Sequence, residues 1–152
     1  TTGAMFLIVG QLYDRTHSRE IADYGGLQQR MPRFVAILSL FAVASFGLPT
    51  TSNFIGEFLI LVGVSYENFI FVALAMGGIV LGAAYMLWML QRVAFGQPRS
   101  EAAGKLTDLN LREMFTVMPL AIAVVAIGVY PGPLLEAMDS SVTYVVERLA
   151  EF

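Results

Sequence analysis

The stretch Gly47-Leu48-Pro49-Thr50-Thr51-Ser52-Asn53-Phe54-Ile55-Gly56-Glu57 sets a helix breaker, four short polar side chains and a carboxylate inside the longest apolar run of the chain. Glu57 is the only charged residue between Phe34 and Tyr66. A carboxylate near the middle of a bilayer costs about 2.5 to 3.5 kcal/mol on insertion scales, so an idle one would be better replaced by leucine. Burial disfavours its charged form, while a nearby cation or a chain of water favours it, and a group balanced between the two can load and release a proton. Glu57 is therefore the candidate proton carrier. The competing reading is a static ion pair. Every Lys and Arg of the chain lies in a loop or in the C-terminal tail, so a basic partner must come from outside these spans.

Pro49 explains how water could reach such a group. It has no N–H, and its ring opposes the carbonyl of Ser45, so the helix ladder must fail there. Irregular backbone at membrane depth is tolerated only where protein buries it or where it lines a hydrated cavity. Thr50, Thr51, Ser52 and Asn53 can bind the freed backbone groups, and Thr51 or Ser52 can cap the helix that resumes after the break. Asn53 and Glu57, four residues apart, share a face. Two further residues draw attention in a basic loop. His17 is either a proton relay or, as its position argues, a solvated or interface-pairing residue. Arg15, with Asp14 and Arg19 beside it, is expected to pair locally or with a neighbouring subunit.

The elements that must position these residues are membrane helices. Of 152 residues, 57% are apolar and 14% charged, and the mean hydropathy is +0.68, which excludes an ordinary soluble domain. The net charge of −3 and the absence of a basic cluster interleaved with aromatics exclude nucleic acid as a partner. With no cysteine and one histidine, the chain offers no thiolate for iron–sulfur or zinc and no pair of imidazoles. The fold class expected is all-α, a transmembrane helix bundle with one discontinuous helix. Its parts are the end of a membrane helix at 1–13, a loop at 14–33, a broken span at 34–66, spans at 69–91 and 112–130 separated by a loop at 92–111, and an amphipathic helix at 133–152. The first run is about half of the roughly 20 residues a span needs, so that helix is expected to start upstream of Thr1.

Charge gives the orientation. Arg15, Arg19, Arg30 and Arg33 fall in the first loop, and Arg92, Arg99, Lys105 and Arg112 fall in or beside the second, whereas the turn at Glu67 has no base. The two basic loops should face the cytoplasm or matrix, and the Glu67 turn and the C-terminus the outside. Gly78 and Gly82 form a small-xxx-small pair suited to close helix packing, with no chemistry assigned. In the last helix, Leu135, Met138, Val142, Val145, Leu149 and Phe152 form an apolar stripe opposite Glu136, Asp139, Glu147 and Glu151. That stripe is expected to pack along the bundle or on a partner.

Four stretches carry a resemblance: LYDRTHSREI (Leu12 to Ile21), GLPTTSNFIGEFLIL (Gly47 to Leu61), YMLWMLQRVAFG (Tyr85 to Gly96) and GVYPGPLL (Gly128 to Leu135). In this order they resemble the C-terminal third of subunit M, the ND4-type antiporter-like subunit of respiratory complex I, NADH:quinone oxidoreductase. The resemblance implies a fourteen-helix antiporter-like fold with inverted repeats, acting as a proton-translocating subunit. It implies that Glu57 is the terminal proton carrier and that L-type and N-type antiporter-like subunits, the lipid bilayer and protons are its partners. It also implies that no cofactor sits in this chain, with FMN, iron–sulfur clusters and quinone held by partner subunits. The bacterial cytoplasmic membrane is implied in preference to the mitochondrial inner membrane. Glu at position 57, where L-type, N-type and Mrp-type relatives usually carry Lys, favours this family over an Mrp-type sodium/proton antiporter subunit. Two departures stand out: relatives often have Pro-Gly where this chain has Pro49-Thr50, and Ala94 replaces a usual aromatic.

Overall fold

Helix ends in this chain are set by local chemistry at the edges of the apolar runs. The computed structural model describes residues 1–66, 68–97 and 106–150, which are helical apart from short connections and contain no strand. Helix α1 is Thr2–Thr16, followed by a 3-10 turn at Ile21–Asp23 and the one-turn helix α2 at Leu27–Arg30. Two apolar helices come next, α3 at Pro32–Ser45 and α4 at Ser52–Ser65, separated by 46–51. The remaining helices are α5 at Phe69–Ala94, α6 at Leu111–Val129 and α7 at Gly132–Ala150. The turn residue Glu67, the loop bases Arg99 and Lys105, and Glu151 and Phe152 of the last amphipathic stretch lie outside the described residues.

Each start has a recognisable cause. Pro32 opens α3 at a position whose N–H would be unpaired in any case. Asn68 caps α5, its Oδ1 accepting from the Ile70 N–H at 2.9 Å. At α6 the Glu113 carboxylate accepts from the Asn110 N–H at 2.7 Å, one half of a capping box. Pro119 sits inside α6, an interior proline of the kind that neighbouring helices make tolerable in membrane proteins.

Helix α3 is the centre of the packing. Phe34 and Phe41 are fully buried, together with Ile8 of α1, Leu27 and Met31 before it, and Val117 of α6. Helix α3 packs against α1 and α5, while α4 packs against α6 and α5. Helices α5 and α6 are each long and apolar enough to cross a membrane, whereas α3 and α4 are shorter apolar helices. Only Val72, Leu90, Val93 and Ala94 of α5 are buried, so most of its apolar surface faces lipid or protein outside this chain. Ala94, where an aromatic was the expectation, is fully enclosed at 0% exposure. Small size suits that place.

Helix α7 departs from one of the two arrangements expected of it. Every residue from 133 to 149 is exposed, so its apolar stripe is not laid along the bundle of this chain. The Leu134 and Leu135 N–H groups both turn back to the Pro131 carbonyl, at 3.1 Å each, and start the helix directly after α6 ends.

Candidate functional site: the break and its carboxylate

The interruption between α3 and α4 is two defined turns in succession. Helix α3 stops in a Schellman motif: Gly47 adopts φ +70°, its N–H reaches the Ala44 carbonyl at 3.3 Å, and the Leu48 N–H reaches the Val43 carbonyl at 3.2 Å. Residues Leu48 to Thr51 then form a β-turn closed by the Thr51 N–H on the Leu48 carbonyl at 3.0 Å. Pro49 fixes a negative φ at the second position and Thr50 takes φ +81° at the third, which is the type II pattern. A glycine usually fills that third place, because a side chain is strained there. Here a threonine does.

The polar side chains of the break behave differently from one another. Thr51 stands at the N-cap of α4, but it makes no side-chain cap. Its hydroxyl instead donates to the Leu48 carbonyl at 2.7 Å, and the residue is 2% exposed. The cap expected of Thr51 or Ser52 is thus replaced by a second bond to a carbonyl that the break set free. The reason is the turn, which brings Leu48 O within reach of both Thr51 donors. Ser52 and Asn53 face the start of α1: the Thr1 hydroxyl donates to Asn53 Oδ1 at 3.0 Å and lies 3.5 Å from Ser52 Oγ.

The wall behind the break is α6. A Cβ added to Gly128 would overlap the Thr50 carbonyl oxygen and the carbonyl carbons of Thr50 and Thr51. Helix α6 therefore lies directly on the backbone of the type II turn, which only the missing side chain at Gly128 permits. Spacing along the sequence could not show this contact.

Glu57 lies on the other side of the break. Its side chain reaches back to Gly47: a Cβ there would sit 2.8 Å from Cδ and 3.2 Å from Oε1 of Glu57, and closer still to Oε2. Two crevices between the break, α4 and α5 share Glu57 as part of their lining. One, of about 310 Å³, is bounded by Ser45, Phe46, Gly78, Gly82 and Tyr85. The other, of about 190 Å³, is bounded by Gly47, Phe54, Phe58 and Met76. Gly78 and Gly82, read from sequence as packing residues, thus leave open space opposite Glu57. Among the described residues no hydrogen bond or ion pair reaches the Glu57 carboxyl.

Arg15 and His17 belong to a different place. Thr1, next to α1, touches Ser52 and Asn53, whereas Arg15 and His17 stand at the far end of α1, a helix of 15 residues and hence about 22 Å long. Arg15 pairs with Glu113 of α6 at 2.7 Å, so its guanidinium is engaged within this chain rather than with Asp14 beside it. His17 is exposed, closes α1 with φ +52°, and meets the Tyr13 ring edge to face at 5.8 Å. Sequence reasoning passed over Asp108, which receives the Arg33 and Phe34 N–H groups at the start of α3, each at 3.1 Å. The Gly26 N–H reaches the Phe95 carbonyl at 3.1 Å, so both basic loops meet at one end of the bundle. Among the described residues no three His, Asp or Glu side chains gather as a metal site.

Comparison with known proteins places this arrangement in a family. The profile of the NADH:quinone oxidoreductase/Mrp antiporter transmembrane family matches residues 1–82. NADH-ubiquinone oxidoreductase chain 4 of Marchantia polymorpha is 46% identical over 97% of this chain, and NADH-quinone oxidoreductase subunit M of Rhodobacter capsulatus is 42% identical over the same share. The match covers 30% and 29% of those two proteins, respectively. A chain of respiratory complex I from Thermus thermophilus, solved with bound NADH, superposes with a TM-score of 0.78 at 34% identity, covering 86% of this chain and 27% of that one. With more than half of its length matched by the profile, the chain belongs to the NADH:quinone oxidoreductase/Mrp antiporter transmembrane family.

Proposed function

We propose that this chain is part of a proton-translocating membrane subunit of an NADH:quinone oxidoreductase and that Glu57 is its intramembrane proton carrier. In this reading α3 and α4 are the two halves of one discontinuous span in a fourteen-helix antiporter-like fold, and the break is the place where water enters. The observation that carries it is the Glu57 carboxyl itself: it lies against broken backbone, faces two crevices, and has no polar partner among the described residues. A carboxyl locked in an ion pair could not exchange protons freely; this one is available to water or to a cation outside this chain.

The chain works by holding and moving a proton at the Glu57 carboxylate oxygens. Protonated, the group is neutral and suits its apolar surroundings; ionised, it needs water in the crevices or a positive charge brought near. A change in either would shift the balance. Moving one charge across 100 mV involves about 2.3 kcal/mol, so modest changes around one carboxyl are on the scale required. Oxidation of NADH and reduction of quinone, with FMN and iron–sulfur clusters, belong to partner subunits in this proposal. L-type and N-type antiporter-like subunits are its membrane neighbours. By the bias of their arginines the basic loops face the cytoplasm or matrix, and the resemblance favours the bacterial cytoplasmic membrane.

The test is NADH:quinone turnover and proton pumping in membrane vesicles that hold the complete complex with Glu57→Gln, and with Glu57→Asp as control. A carrier predicts that Gln assembles but neither turns over nor pumps, while Asp keeps part of both. Normal pumping by Gln would make Glu57 structural. The family profile also spans Mrp antiporters, and that second reading predicts sodium-dependent exchange without NADH.

A further inference from the structure

We propose that Gly47 and Gly128 are positioning residues for the Glu57 carboxyl, Gly47 as the seat against which it rests and Gly128 as the contact through which α6 holds that seat in place. The inference rests on Glu57 being the proton carrier. It adds what sets the carboxyl's position when no hydrogen bond or ion pair among the described residues does so.

The geometry has two layers. At Gly47 the backbone turns through φ +70°, and the space a side chain would fill is taken by Glu57 Cδ and both carboxylate oxygens. The carboxyl is thus held in van der Waals contact with the end of α3, and Glu57 lines both crevices. Three and four residues on, the Thr50 and Thr51 backbone is pressed by α6 at Gly128, where a methyl group would overlap the main chain itself. A side chain can swing away from a clash, but a turn closed by Pro49 and the Thr51 bonds cannot. A methyl at Gly128 must therefore move α6 or move the turn, and the turn carries the seat with it. The far end of α6 is anchored through Glu113 to Arg15, so the helix has limited freedom to retreat.

A glycine that only supplies a left-handed turn and a glycine that seats a carboxyl give different answers in a double substitution. Gly47→Ala introduces backbone strain and a clash with Glu57 together. Glu57→Asp shortens the side chain by one methylene and withdraws the carboxyl from the clash, but leaves the strain untouched. In the complete complex, Gly47→Ala should lower turnover and pumping by about ten- to a hundredfold, the scale of a displacement of about 1 Å at a reacting group. Gly47→Ala with Glu57→Asp should be more active than Gly47→Ala alone, although Asp by itself is less active than the natural Glu. The same ordering should hold for assembly if the Ala variant fails to assemble. Losses that merely multiply, or a double variant no better than the Ala variant, would overturn the seat.

The α6 contact has its own readout. The infrared band of the Glu57 carboxyl, identified by its disappearance in Glu57→Gln, should shift in Gly128→Ala as it does in Gly47→Ala. An assembled Gly128→Ala complex with an unshifted band removes Gly128 from the proposal; should that variant not assemble, the Gly47 pair decides. Normal turnover in Glu57→Gln would instead bring down the carrier reading, a result that neither glycine variant can mimic.

Discussion

The two ends of α1 touch two regions built on opposite principles. At the basic end the polar groups are paired across the sequence: Arg15 with Glu113, Asp108 with the first N–H groups of α3, and the Tyr24 hydroxyl with both Thr16 and the Ser18 carbonyl. At the break, about 22 Å away by the length of α1, the Gly47, Leu48 and Thr51 N–H groups are bonded in turns, while among the described residues no hydrogen bond or ion pair reaches the Glu57 carboxyl. Pairing fixes a charge and makes its neighbourhood rigid; leaving it unpaired costs stability and keeps its protonation open to change. The fold thus pairs its charges at one end and at the other leaves an acid with no polar partner among the described residues.

Replacing the unpaired acid should produce the largest effect. For a carboxylate at mid-membrane, as proposed for Glu57, insertion scales put Glu57→Leu at about 3 to 4 kcal/mol in favour of leucine, the cost of the acid plus leucine's own gain. Insertion of the 32–65 segment, read with a glycosylation reporter, should therefore improve, while the assembled complex loses turnover. Worse insertion with leucine would mean that Glu57 is stabilised by a partner, and the contrast between the two regions would disappear.

The basic end should respond with the opposite sign. Arg15→Ala leaves Glu113, 25% exposed in its side chain, with only the Asn110 N–H among its described partners, and the lost charged hydrogen bond is worth about 1.5 to 3 kcal/mol. Hydrogen exchange in the first turn of α6 is the sensitive measure, since it reads local opening within a large assembly. Arg15→Ala with Glu113→Ala should be less damaging than the sum of the two single losses; simple additivity would show the pair to be idle. Asp108→Ala removes the acceptor of two N–H groups at the start of α3 and should cost about 1 to 2 kcal/mol, with faster exchange at Arg33 and Phe34 and none of the change at the break.

How far these regions could be read from sequence depends on how local their causes are. An all-helical membrane bundle follows from apolar runs of spanning length, and Pro49 with its polar neighbours marks where α3 ends and α4 begins. Gly47 two residues before Pro49 was a signal for the Schellman ending, since both are local punctuation. The seat of Glu57 on Gly47 was not legible, because once the helix breaks, neither 3.6-residue periodicity nor spacing says which backbone a side chain ten positions later will meet. Arg15 with Glu113, Asp108 with α3, and Gly128 with Thr50 join residues more than 70 apart. Such contacts depend on how the helices pack, which a single sequence does not disclose. Thr51 shows a third kind of miss: its type suits a cap, but the turn offered its hydroxyl a nearer carbonyl.

The smallest effect tests whether the break is strained on its own account. Thr50 holds φ +81° while exposed, with its side chain in none of the described hydrogen bonds, so the turn gains nothing visible from the threonine. A left-handed conformation costs a non-glycine residue about 1 to 2 kcal/mol, and glycine's larger entropy loss on folding returns about 0.5 to 1 kcal/mol of any gain. Thr50→Gly should therefore slow exchange at the Thr51 N–H by a net stabilisation of at most about 1.5 kcal/mol, with turnover unchanged because the Leu48 to Thr51 bonds keep the turn in shape. Faster exchange would mean that the threonine restrains a turn which glycine lets wander. If turnover also fell, the strain at Thr50 would be part of what holds Glu57 in place, and the break would differ from the basic end in being tensioned as well as unpaired.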